Sequence, residues 1–495
     1  MATGALAALG CLGYLTVNAT YALTGHPLAG FPGPSLCAFS RLPFWIQVFQ
    51  GTDVQWIHQL HRYYGPVVRY GPNDLSYLSA QSWRDIYGRP NGRPTLPRTE
   101  DFAIKPWNGV PSILTCDDEN HARVRRIFSP AFSERALRQQ EPLFQKYTKL
   151  LLETMENDLK AGEKLEMTRF LTFTTFDIMA DLCFGHPLEL LSRNQWSPWV
   201  SAIFDMIRML HVSMLVDYYP ILGYVVRKFE PKWLRDMKST HFKHSADRVD
   251  QRLKEGTEKP DFWNLIVRTR DSGGGLSLDE MHSNAEVFML AGTETTATLL
   301  AGLLYYLCLN QKKLQLLVQE IRTAYSTMDD ITFDSLSRLE YLRACIKEAL
   351  RMYPPGPAGS PRLVPGDGHY IEGRWVSGGT RVVVSPYAAY RSEINFADPD
   401  TFAPERWLNA DHAEADTTGK FAGDKGEALQ PFSVGPRNCI GQSMAHHEAR
   451  LILAALLLRF DFELCEESKA WADQKAHALW LKKPLLCRVT QAVQT

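Results

Sequence analysis

The hydrophobic and polar positions divide the chain into stretches of different period. Residues 2–23 are almost wholly Ala, Leu, Gly, Val and Tyr, with Thr3, Thr16, Asn18 and Thr20 as polar interruptions; about 20 such residues in helical form cross a hydrocarbon core. No basic segment precedes the run, and it is longer than the apolar part of a cleaved leader, so it reads as an anchor, with a frayed, partly buried helix as the competing reading. Phe31-Pro32-Gly33-Pro34 then stops the helix and sets the angle at which the rest of the chain departs. Residues 67–70 and 75–79 read as two short strands around Gly71-Pro72-Asn73-Asp74. Helical periodicity dominates from about Glu119 to Met352, broken at Pro220, Pro231 and Gly273-Gly274-Gly275. Residues 362–385 form a second strand-rich patch, residues 409–430 a polar loop, and residues 440–460 a last helix. The pattern predicts a body that is mainly α with minor β.

A prior of about 150 residues per domain allows three domains in 495 residues. No repeat and no long flexible linker divides the chain, so it reads as one body over residues 26–495 behind an anchor at residues 1–25. Lys and Arg number 54 against 55 Asp and Glu, a net charge of −1, so no overall field favours nucleic acid. The distribution matters more than the sum: Arg41 is the first charged residue, which supports the anchor. Nine scattered cysteines without a CxxC pair suggest neither a disulfide framework nor a zinc module, and fit a body in a reducing compartment.

Candidate chemistry centres on Phe432-Ser433-Val434-Gly435-Pro436-Arg437-Asn438-Cys439-Ile440-Gly441. Here a cysteine stands on a glycine-punctuated loop just before a helix, where backbone N–H groups favour a thiolate, and a thiolate in an apolar loop can be an axial ligand to haem iron. Gly435 would allow the turn and Gly441 the approach of a flat macrocycle; Arg437 would pair with a macrocycle carboxylate and Phe432 would shield the sulfur.

This FxxGxRxCxG set resembles the cytochrome P450 family of haem-thiolate monooxygenases, and the resemblance runs from Phe31 to about Pro484. It implies the cytochrome P450 fold, a single large haem-binding domain, with haem held by the Cys439 thiolate. His26-Pro27-Leu28, Tyr390-Arg391 and Pro404-Glu405-Arg406-Trp407 are similar to fungal membrane-bound members of secondary metabolism. Glu348 and Arg351 share a helix face at i, i+3 and, with Arg406, resemble the family's buried Glu-Arg-Arg network, a structural device. A long helix opens at the capping box Ser277-Leu278-Asp279-Glu280, and from Val287 to Leu307 its only charge is Glu294. A second membrane span is disfavoured there because Gly-Thr-Glu-Thr-Thr at its centre is costly in lipid. Ala291 and Gly292 match the segment that leaves room over the haem, and Glu294 with Thr295 the acid–alcohol pair that relays protons. His121 and Arg125 occupy the WxxxR positions, which contact a haem propionate, and Arg362 resembles another propionate-binding arginine.

The resemblance lines a substrate pocket with Phe102, Ile104, Trp107, Val110, Phe288 and Leu479, aromatic and aliphatic as suits a lipophilic terpenoid or polyketide intermediate. With no GxGxxG or Walker A cradle in the chain the electron donor is separate, and the resemblance implies an NADPH–cytochrome P450 reductase, cytochrome b5 being a further candidate. The expected activity is O2-dependent hydroxylation or another oxidation at the endoplasmic reticulum membrane, with a single-pass anchor and the catalytic domain facing the cytosol. The alternatives are a haem-thiolate isomerase or dehydratase working without O2, and a non-enzymatic haem protein.

Overall fold

The structure, a computed structural model, describes Gly10 and residues 13–89, 94–99, 107–229, 231–255, 262–263 and 275–492. Of the expected anchor, residues 1–9, 11 and 12 lie outside the described residues. Residues 13–20 are helical, continuing into a π-helical turn at Tyr21–Gly25, and Tyr14, Leu15, Val17, Tyr21 and Leu23 are exposed along this piece.

Beyond the proline-rich stretch come helices α1 (Leu42–Gln50) and α2 (Asp53–Tyr64), then strands β1 (Val67–Gly71) and β2 (Asp74–Tyr77). The strands pair antiparallel as the sequence predicts. Their sheet is completed by the late strand-rich patch: β3 (Arg362–Leu363) and β4 (Arg381–Val384) join in the order β1-β2-β4-β3. β4 lies parallel to β2, from Asp74 opposite Arg381 to Tyr77 opposite Val384, and antiparallel to β3. This pairing of distant segments fastens the N-terminal part to the C-terminal half.

The helical part comprises, among others, α3 (Asp118–Phe128), α4 (Met167–Phe184), α5 (Pro198–Tyr218), α6 (Pro220–Lys228), α7 (Leu278–Leu309), α8 (Glu340–Met352) and α9 (Gln442–Arg459). The α7 capping box forms: Glu280 N–H donates to Ser277 Oγ at 3.2 Å and Ser277 N–H to Glu280 Oε2 at 2.8 Å. Among the described residues α7 alone is long and apolar enough to cross a membrane, yet 72% of its apolar window is buried in the protein. A helix apolar on every side and packed all round belongs to a core. It packs against α4, itself buried along nearly its whole length. The core thus has one large helical cluster, with a smaller one under the sheet around Val68, Leu75, Val382 and Val384.

Candidate active site

The Cys439 loop is shaped by a glycine and gripped by an arginine. Gly435 has φ +78°, and a Cβ there would stand 2.0 Å from the Tyr87 carbonyl oxygen, so only glycine fits. Cys439 N–H donates to Phe432 O at 2.9 Å, closing the loop, while the Phe432 ring leans on His446. Arg125 of α3 donates from Nη1 to Asn438 O at 2.6 Å and from Nη2 to Asn438 Oδ1 at 2.7 Å. It therefore clamps the residue before the cysteine. The cause is long-range: the α3 C-terminal turn reaches the loop, whose carbonyl and amide oxygens form a two-point acceptor for a planar fork.

Cys439 is exposed although protein surrounds it, so its sulfur opens onto an interior void. Burial pushes the thiol up, against the opposing Gly441 N–H and the Arg125 charge. The helix terminus alone thus does not keep a thiolate, whereas metal coordination would deprotonate the sulfur outright. A Cβ at Gly441 would stand 3.9 Å from Sγ and from Phe132, in ordinary van der Waals contact with both, so this glycine lies directly beside the sulfur.

On α7 the neighbouring turns are buried, but Ala291 is exposed and Val287 and Thr295 are half-buried. These three are spaced i, i+4, i+8, so they form one open stripe on a core helix. Gly292 does not belong to it: a Cβ there would meet the Met179 side chain at 2.7 Å, so this glycine serves the α4–α7 packing rather than space over a haem. Phe288 also departs from the expected pocket, being buried among Phe128, Phe132 and Phe262. Leu479 is half-buried against the helical core, Val110 half-buried, and Trp107 exposed at 41%. Phe102 and Ile104 lie outside the described residues.

Glu294 and Thr295 are not a touching pair. Adjacent helical residues point roughly 100° apart. Thr295 Oγ donates to Ala291 O at 2.6 Å, while Glu294, buried, is bound by Lys482 Nζ, which also donates to Thr298 Oγ1 at 2.8 Å. Burial raises the Glu294 carboxyl against the Lys482 charge, and Oε2 has no partner among the described residues. Lys482 escaped the sequence reading because nothing local marks a lysine beyond the last helix as the partner of an acid in the middle of α7.

Four basic groups gather between α3, β3 and the cysteine loop. Arg98 and Arg362 form an isolated β-bridge, a neighbour that sequence patterning missed. Burial and the proximity of Arg362 and Arg437 lower the Arg98 guanidinium to about 9; burial and Arg437 lower Arg362 to about 10. His121 is pushed down to about 4 by burial and then by Arg437, Arg125 and Arg98, so it stands neutral. Asp118 supplies a counter-charge, accepting from Arg437 Nε at 2.8 Å, and Arg437 Nη2 donates to Cys116 O at 2.8 Å. Arg98 Nε, Arg362 Nη1 and Arg437 Nη1 are buried without a partner among the described residues. Such groups are costly to leave unmade, and carboxylates would satisfy them.

The Glu348 network is complete. Arg351 is fully buried and donates from Nε to Glu348 Oε2 at 2.9 Å and from Nη2 to Glu348 Oε1 at 2.7 Å, with Nη1 on Tyr390 O at 2.8 Å. Arg406 Nε donates to Glu348 Oε1 at 3.2 Å, and Trp407 Nε1 to Oε2 at 2.9 Å.

An open buried thiol, an open stripe on a core helix and a cluster of partnerless arginines fit a flat macrocycle with one axial ligand and anionic edges. They are the features of a haem-thiolate protein. The cytochrome P450 family profile matches residues 33–489, and the chain belongs to that family. It is 42% identical to cytochrome P450 monooxygenase efuB of Hormonema carpetanum, over 97% of this chain and 94% of that protein. It is 40% identical to monooxygenase lcsI of Purpureocillium lilacinum (99% and 94% covered) and 40% to monooxygenase atr2 of Stereocaulon alpinum (98% and 95%). The protein is accordingly a haem-dependent cytochrome P450 monooxygenase with the mainly α, minor β fold of that family.

Proposed function

We propose that this enzyme inserts one oxygen atom of O2 into a C–H bond of a lipophilic secondary-metabolite intermediate of terpenoid or polyketide type. Haem bound at Cys439 supplies dioxygen activation, and the thiolate's electron donation favours O–O cleavage. The observation that carries the reading is the opening of α7 around exposed Ala291, where Val287 and Thr295 and the adjoining Leu290 and Gly292 are only half-buried, together with the exposure of Cys439.

In this reading Cys439 is the iron ligand, held by Arg125 through Asn438. Arg98, Arg362 and Arg437, with neutral His121, bind the propionates, for which their unpartnered N–H groups are suited. Phe432, resting on His446 and accepting from Cys439 N–H, is placed to shield the sulfur, and Gly441 lies beside it. The Thr295 hydroxyl donates to Ala291 O, which leaves its oxygen lone pairs to accept from a water or substrate at the open stripe. Glu294 is held by Lys482 in the α7 interior and reaches the site only when it leaves that pair.

Electrons come from an NADPH–cytochrome P450 reductase, a partner class the family generally uses. Residues 1–25 anchor the chain to the endoplasmic reticulum membrane, with residues 26–495 as the catalytic domain on the cytosolic side. In support, Leu42, Ile46 and Phe49 are exposed along one face of α1, and Ile221, Leu222, Tyr224 and Val225 on α6. Trp45 of α1 packs on Tyr218 and Tyr219 at the α5–α6 junction, so one lipid surface would cover both helices.

The test is turnover with reductase, NADPH and isotopically labelled O2 on apolar terpenoid and polyketide candidates. Products gaining one labelled oxygen support the proposal; product formation that persists without O2 refutes it.

A further inference from the structure

Residues 107–114 form a loop outside any helix or strand, and of these only Ser112 and Ile113 are buried, while Trp107, Gly109, Pro111 and Leu114 are exposed. With so little apolar burial, the position of the loop rests on polar contacts. On the α7 side Asn108 makes three of them. Its Nδ2 donates to Asp279 O at 3.0 Å, and its Oδ1 accepts from Ser283 Oγ at 2.8 Å and from Val110 N–H at 3.1 Å. One side chain thus closes the turn at Gly109, where φ is +73°, and fastens that turn to the helix. Further along, Ile113 N–H donates to Asn284 Oδ1 at 2.9 Å, while Asn284 Nδ2 donates to Glu280 O at 2.7 Å. On the haem side Arg98 Nη1 donates to Leu114 O at 2.8 Å and Arg437 Nη2 to Cys116 O at 2.8 Å.

The place of this tie on α7 gives it a role beyond holding the fold. Ser283, Val287, Ala291 and Thr295 follow at intervals of four residues, so they lie along one ridge of the helix. The Asn108 turn sits on that ridge about 12 Å from Ala291, at a rise of about 1.5 Å per residue. It carries Trp107 and Val110 beside the opening in which the proposed reaction takes place. Ser283 and Asn284 are buried polar groups, costly on a core helix unless both are satisfied, and the loop is what satisfies them. A loop fixed in advance spares an incoming ligand the entropy of ordering it.

We infer that Asn108 is a positioning residue for the substrate site. With Ser283 and Asn284 it fixes residues 107–114 as a preformed wall beside the Ala291 opening, so that a bulky apolar substrate meets an ordered surface. The inference rests on the proposed reading, in which haem and substrate meet at that opening.

The test is spectral titration of the haem-loaded enzyme with imidazole and with clotrimazole, an azole donor without and with a bulky apolar body. Asn108→Ala is expected to weaken clotrimazole binding by about tenfold and to leave imidazole binding unchanged, since only the larger ligand reaches the wall. Asn108→Asp, which keeps the acceptor for Ser283 and Val110 N–H, should recover part of the loss. Ser283→Ala removes one hydrogen bond and should weaken clotrimazole by about threefold, which decides the matter even where Asn108→Ala does not fold. Unchanged clotrimazole affinity in Ser283→Ala overturns the positioning role. Equal weakening of both azoles also overturns it, as a general loosening of the haem site would produce. O2-independent turnover with the clotrimazole difference intact would overturn the oxygenase reading alone and still support the positioning role.

Discussion

Two groups of arginines are buried in this protein, and they are arranged in opposite ways. Around Glu348, the guanidinium groups of Arg351 and Arg406 end on a carboxylate and on backbone carbonyls, and each hydrogen bond has a complementary partner. Around Arg362, the guanidinium groups face one another, and three of their buried nitrogens have no partner among the described residues. A complete network holds the fold together; an incomplete one costs stability until a ligand completes it. That contrast is the one expected if the first group is structural and the second takes the cofactor, as proposed.

Breaking the complete network should have the largest effect. Glu348→Gln leaves Arg351 and Arg406 without their shared counter-charge, at a cost of about 3–5 kcal/mol, a large part of a domain's stability. Urea unfolding of the apo- and haem-loaded forms should show both midpoints falling together. The Lys482–Glu294 pair is the next case. Lys482→Met strands a buried acid and should cost about 3 kcal/mol. Adding Glu294→Gln should restore most of it, and a strictly additive double variant would show that the two are not coupled.

Arg362→Met should do the reverse of Glu348→Gln. Removing a guanidinium crowded by other arginines, with a buried Nη1 unpartnered among the described residues, leaves the apo-protein's midpoint unchanged or raised, while haem affinity falls by about tenfold or more, in line with roughly 1.5–3 kcal/mol for a hydrogen bond to a charged group. Haem transfer to apomyoglobin would measure this, and a fall in apo stability with unchanged haem retention would contradict it.

The smallest effect concerns Glu448, fully buried on α9, where burial raises its carboxyl to about 8 with Thr296 opposing. Because the folded state keeps the proton that the unfolded chain has already lost, stability is full below about pH 4.5 and declines as pH rises through about 8. Between pH 6 and 8 the loss is about 2 kcal/mol, at up to 1.36 kcal/mol per pH unit. Glu448→Gln should flatten that part of the stability–pH curve, as thermal melts across the range would show.

Features written in neighbouring residues were legible before the structure. The capping box at Ser277, the β1–β2 hairpin, the turn at Gly435 and the pairing of Glu348 with Arg351 each depend on spacings of a few residues. What was misread or missed depends on which distant segment arrives. Arg98 reaches Arg362 through a β-bridge, Lys482 reaches Glu294 from beyond the last helix, and Asn438 meets Arg125 across the cysteine loop. Gly292 and Phe288 matched a family pattern, but Met179 and three phenylalanines occupy the sides on which they were expected to be open. Periodicity identifies a buried face; it does not say what fills it.

The central claim is that Cys439 is the iron ligand in a site completed by haem. Its most direct test is the absorption spectrum of the reduced, CO-bound protein before and after Cys439→Ser. The account predicts the red-shifted band of a thiolate-ligated haem in the unaltered protein and its loss in the variant; the same band in Cys439→Ser would contradict it.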